Sequence, residues 1–98
     1  MDYKNEPFLN MMRKDGLVVV FYVSKSKNKK YTAVVYKDRK KIGTYNFGDK
    51  RYQHYKDLVS NTYEHLNHND PERRRLYRLR HKEGEFPSSA WFSYNLLW

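Results

Sequence analysis

The chain has 98 residues, a formal net charge of +9, a mean hydropathy of −1.08 and no cysteine, with tyrosine supplying ten of its aromatic side chains. That length suits one domain with a single modest core and excludes a core plus a large internal active-site cleft. The missing thiols exclude disulfide staples and thiolate metal sites, and the aromatic content argues against a disordered basic tail.

The first sixteen residues carry no net charge and end in Asp15-Gly16, a turn signal that opens the next strand. Phe8, Leu9, Met11 and Met12 suit a short helical turn or a partly ordered N-terminal arm over 1–16. Residues 17–23, LVVVFYV, are β-branched and aromatic on both faces and predict a strand. YTAVVY at 31–36 predicts a second strand and KIGTYNF at 41–47 a third, with Gly43 marking a bulge or a close backbone approach. Asp38-Arg39 reads as a tight hairpin turn, and 24–30, SKSKNKK, as a longer flexible one. A three-stranded antiparallel meander over 17–47 follows.

Apolar or aromatic residues at 52, 55, 59, 63 and 66 have helical spacing and predict a helix over 50–67, which Ser60-Asn61-Thr62 would interrupt. Asp70 followed by Pro71 and Glu72 is an N-cap signature, so a second helix is expected over 71–83, ending at Gly84. The segment 85–98 is apolar to Trp98 and needs to dock on the core or in a homodimer interface. The fold class expected is α+β: one domain over 1–98, with a three-stranded antiparallel sheet at 17–47, two helices within 50–83 and a docked aromatic segment at 85–98. No signal-peptide layout or membrane-spanning run is read, and a soluble protein without membrane partners is expected.

Charge is clustered. Residues 24–41 carry +7 and 71–98 a further +3, while the rest is close to neutral. On a helical wheel Arg74, Arg75, Arg78 and Lys82 fall within about 100° of one another, with Leu76 and Leu79 roughly on the other side, toward the expected core. Arg73, Tyr77 and Arg80 form a neighbouring stripe. Arginine suits bidentate phosphate or guanine contacts, and the lysines of the hairpin loops suit point contacts to phosphate. The expected nucleic-acid contacts are Lys25, Lys27, Lys29, Lys30, Arg39, Lys40 and Lys41 in the loops, with Arg74, Arg75, Arg78 and Lys82 on the helix.

Catalytic and metal patterns are weak. His54, His65, His68 and His81 match no established zinc spacing, and the histidines of HLNHND read better as partners of free carbonyls at a helix end. Asp49, Asp57, Glu64 and Asp70 are too scattered among cations to hold Mg²⁺ for a nuclease. The four glycines form no phosphate-cradling motif and no nucleophile signature is present, so no enzyme activity, cofactor or metal is expected. Tyr22, Tyr31, Tyr36, Tyr45, Phe47 and Tyr52 divide between core positions and a surface that stacks unpaired bases.

The runs KKYTAVVYKDRKKIGTYNFGDKRYQHYKD and YEHLNHNDPERRRLYRLRH, with the closing FSYNLLW, resemble a family of small basic proteins encoded by giant nucleocytoplasmic DNA viruses, the marseilleviruses and mimivirus relatives. The shared pattern falls on Phe47, Gly48, Asp70, Arg73 or Arg74, Tyr77, Arg80, His81, Leu97 and Trp98, and the resemblance spans about 29–98. It implies viral origin and a location in the infected cell, in a cytoplasmic viral factory, the nucleus or the virion. It carries over no catalytic residue.

Together these readings favour a non-enzymatic protein that binds double-stranded DNA in genome organisation, transcription or replication, with AT-rich sequence preferred if a hairpin enters the minor groove. A homodimer would double the basic surface. Two alternatives are a viral or host protein partner engaging the basic helix and aromatic tail, and a single-stranded nucleic acid.

Overall fold

A computed structural model describes residues 7–98; the expectations for 1–6 lie outside the described residues. Four antiparallel strands, β1 (Asn10–Lys14), β2 (Leu17–Val23), β3 (Lys29–Lys37) and β4 (Lys40–Asp49), form one sheet in sequence order. A 3₁₀ turn, η1 (Glu64–Leu66), and two helices, α1 (Pro71–Arg80) and α2 (Ser89–Leu96), follow. The α+β class holds, but the sheet has four strands rather than three.

The extra strand is β1, within the stretch read as an arm or helical turn. Asp15 and Gly16 both take positive φ (52° and 77°), as the tight turn of a two-residue hairpin requires, and so pair Lys14 with Leu17 and Asn10 with Phe21. Asp38 and Arg39 form the equivalent turn between β3 and β4 at φ 51° and 68°. The register slips between Val35 and Tyr36, opposite Gly43 and Lys41, which leaves Ile42 outside the ladder as a bulge. The ring of Tyr45 folds over Gly43, 2.8 Å from where a Cβ would stand.

Strand alternation puts Val19, Phe21, Tyr31, Ala33, Val35 and Phe47 on one face. There Phe92 of α2 fills the centre, stacked on Phe47 at 5.5 Å and edge-on to Phe21 at 5.8 Å. Ser88 caps α2 by accepting from the Trp91 amide at 3.0 Å. The apolar C-terminal segment therefore docks on its own core, and Leu97 is buried there.

The helix expected over 50–67 does not form. Asp57 is buried, and its carboxylate accepts from the backbone amides of Val59 (2.9 Å), Ser60 (3.1 Å) and Tyr63 (3.2 Å) as well as from the Tyr31 hydroxyl. These bonds give the amides partners that a helix would have supplied from its own carbonyls. Other amides of the segment bond across to the C-terminal segment, Tyr55 and Lys56 to the Leu97 carbonyl and Leu58 to that of Leu96. Val59 is buried and Tyr55, Tyr63 and Leu66 half-buried, so most of the helically spaced residues reach inward from irregular backbone.

Asp70 caps α1 as expected, accepting from the amides of Glu72 (2.9 Å) and Arg73 (3.3 Å). The helix ends at Arg80, three residues short of the expected 83, because His81 turns extended.

Candidate nucleic-acid interface

The orientation of α1 reverses the wheel expectation. Leu76 and Leu79 face solvent, 41% and 70% exposed. Arg74 and Arg78 pack inward instead. The Arg74 guanidinium lies 4.7 Å from the Tyr55 ring centroid, and its Nε donates to the Trp98 main-chain oxygen at 2.7 Å. Arg78 lies over the Tyr94 ring at 4.5 Å. Arg75 is exposed and ion-paired with Glu72, and Lys82 is exposed beyond the helix end. The four cations expected to form one outward grip are thus divided between internal and external roles.

The lysines of 24–41 are divided too. Lys25 and Lys27 lie in the β2–β3 loop with Lys29 at the start of β3, whereas Arg39, Lys40 and Lys41 sit at the β3–β4 turn. The two groups occupy opposite ends of β3, and its eight residue steps separate them by roughly 26 Å. The β2–β3 loop is tied down: Asn46 donates to Ser26 Oγ at 3.0 Å, and the Ser26 amide donates to Ser24 Oγ at 3.0 Å.

Lys30 is not a surface contact. It is 2% exposed, and its Nζ donates to the Tyr52 carbonyl at 2.9 Å and to His54 Nδ1 at 2.7 Å. Burial lowers its pKa to about 8, against the opposing pull of Asp57 and Asp49. His54 is fully buried; its burial first, and then the Lys30 charge, lower its pKa to about 4. Burial, reinforced by the hydrogen bond to Asp57, raises that of Tyr31.

Arg73, Tyr77 and Arg80, the stripe that flanked the expected contacts, point into a cleft of about 690 Å³. The end of β4, the start of β3, α1 and α2 enclose it, with Lys29, Tyr52, Gln53, His81 and Trp98 also in its lining. His81, Tyr77 and Trp98 form a ring column: Tyr77 stacks on Trp98 at 4.1 Å with 2° between planes, and on His81 at 4.2 Å with 23°. Arg73 donates to Gln53 Oε1 at 2.9 Å, while Arg80 makes no hydrogen bond or ion pair among the described residues. The acid in the lining, Asp49, is engaged by Arg51 at 2.7 Å, which holds its carboxyl well below the usual carboxylate range.

Of the aromatics expected to stack bases, Tyr31 and Phe47 are core and Tyr45 packs against Phe92. Tyr22 and Tyr36 lie on the other sheet face, with Tyr22 largely buried, and Tyr52 is exposed at the cleft. Among the described residues no group of three His, Asp or Glu side chains comes together to hold a metal ion, and no helix is long and apolar enough to cross a membrane. The chain matches no protein-family model, no curated protein and no solved structure.

Proposed function

We propose that this protein binds nucleic acid without catalysing a reaction on it, holding phosphates with Lys25, Lys27 and Lys29 and with Arg73 and Arg80. The observation that carries this reading is the convergence of Lys29 of β3 with Arg73 and Arg80 of α1 on one cleft walled by aromatic rings. Cations that track a backbone beside rings that stack bases are the usual means of holding a single strand. The reading favours single strands over duplex. A helix entering a major groove needs free polar side chains on its outward face, whereas α1 turns Leu76 and Leu79 outward and engages Arg74 and Arg78 internally.

Duplex DNA is the second reading, supported by Arg39 at an exposed hairpin tip beside Lys40 and Lys41. Such a tip suits the narrow minor groove of AT-rich sequence. The resemblance to giant-virus proteins supports an infected cell as the setting in either case.

Fluorescence anisotropy against single-stranded DNA, RNA, AT-rich duplex and GC-rich duplex at two salt concentrations tests these readings. Tighter binding to single strands that weakens steeply with salt is expected. A preference for AT-rich duplex would move the contact to the Arg39 turn, and no binding at low salt would overturn both.

A further inference from the structure

We infer that the cleft is a nucleotide pocket, taking one unpaired base on the free end of the ring column and its phosphate on Arg80, with Arg73 and Lys29 placed for the neighbouring phosphates of a strand; this rests on the nucleic-acid reading. The column supplies the stacking surface. Tyr77 is sandwiched between Trp98 and His81, so both of its faces are occupied. His81 ends the column, is exposed, and has no ring partner except Tyr77 among the described residues. A planar base laid on its outer face extends the column by one member. Tyr52, 64% exposed in the same lining, offers a second ring.

Arg80 fits an anion attached to that base, and Arg73 and Lys29 fit the phosphates that flank it in a strand. Arg80 lies between the column members Tyr77 and His81 in sequence and has no partner of its own among the described residues, and Arg73 keeps donors beyond the one engaged by Gln53. Lys29 adds a third charge from the sheet side, while the carboxylate of Asp49 is occupied by Arg51. Lys30 lines the cleft but is 2% exposed and spends two of its three donors on Tyr52 and His54, so it is not counted among the ligand's contacts. A volume of about 690 Å³ lies within the roughly 300–1,000 Å³ typical of small-molecule sites and is enough for a nucleotide. Aromatic walls and clustered cations together select a phosphate that carries a ring over a bare phosphate.

The test uses the whole chain and a fluorescently labelled eight-nucleotide single strand, beside a strand of equal length made entirely of abasic units. AMP and ribose 5-phosphate serve as competitors. The abasic strand is expected to bind about tenfold or more weakly, and AMP to displace the labelled strand at about a tenth or less of the ribose 5-phosphate concentration. His81→Ala narrows both gaps, while Arg13→Ala, exposed on the edge strand β1 away from the cleft, leaves them unchanged; circular dichroism melts establish that the variants are folded. Equal binding of the natural and abasic strands, with AMP no better than ribose 5-phosphate, would overturn the pocket and leave a phosphate-binding protein. Failure of every strand and of AMP to bind at low salt would remove the nucleic-acid reading as well.

Discussion

The ammonium of Lys30 lies 2.7 Å from Nδ1 of His54 in the protein interior. A lysine ammonium only donates, so Nδ1 accepts, and the ring is neutral with its proton on Nε2, directed at Asn67 Oδ1. Asn67 also accepts from the Asp57 amide at 2.8 Å, linking β3 to the irregular segment beneath the cleft.

That arrangement makes stability sensitive to acid. The pKa of His54 falls from 6.5 to about 4 on folding, so between those values the unfolded chain binds the extra proton and stability drops as pH falls. The full effect is about 3 kcal/mol. Lys30 acts in the same direction between its unfolded 10.5 and its folded value of about 8, with stability rising as pH rises. Urea unfolding from pH 7 to pH 4 is expected to show a steeper loss for the natural chain than for His54→Gln; parallel curves would refute the assignment.

Arg74 and Arg78 are expected to affect stability before they affect binding. Each loses a ring contact when truncated, and Arg74 also loses its hydrogen bond to Trp98, so Arg74→Ala and Arg78→Ala should each cost about 1–2 kcal/mol. Arg75→Ala and Lys82→Ala, at exposed positions, should stay within about 0.5 kcal/mol. Thermal melts of the four single variants separate the two classes.

Gly48 joins β4 to the cleft at φ +76°, where an alanine is strained. An added Cβ would also lie 2.8 Å from Leu97 Cδ1 and 3.0 Å from Lys30 Cδ, both in buried side chains. Gly48→Ala should cost about 2 kcal/mol or more, read from the urea midpoint. An unchanged midpoint would mean that the C-terminal segment yields freely.

The two lysine clusters should behave differently in binding. Replacing Lys25, Lys27 and Lys29 by alanine is expected to weaken single-strand binding and to flatten its salt dependence, by about 0.7 in the log-log slope for each lost phosphate contact. Replacing Arg39, Lys40 and Lys41 should leave both nearly unchanged. The opposite ranking would point to the duplex reading.

Local signals in the sequence found the three longer strands, the turn at Asp38-Arg39, the bulge beside Gly43 and the start of α1 at Asp70-Pro71. Asp15-Gly16 was equally strong hairpin chemistry, but the apolar cluster of 8–12 competed with it as a helical turn. Periodicity at 52–66 marked side chains of which all but the exposed Tyr52 turn inward, yet assigned them a helix. It could not register that the Asp57 carboxylate and the carbonyls of Leu96 and Leu97 would claim the amides. For the site, the wheel grouped Arg74, Arg75, Arg78 and Lys82 on one outward face, whereas the structure turns Arg74 and Arg78 inward and leaves the neighbouring stripe of Arg73, Tyr77 and Arg80 lining the cleft.

The sequence by itself determined the charge, the strand alternation and the helix cap, because each depends on residues close together in the chain. Only the tertiary structure decided which side of α1 turns inward, which lysine is buried and which cations share a cleft. Those outcomes depend on partners distant in sequence. Trp98, Tyr55 and Tyr94 provide a carbonyl and ring faces that accommodate arginine better than leucine, and the meander carries neighbouring lysines to opposite ends of the sheet.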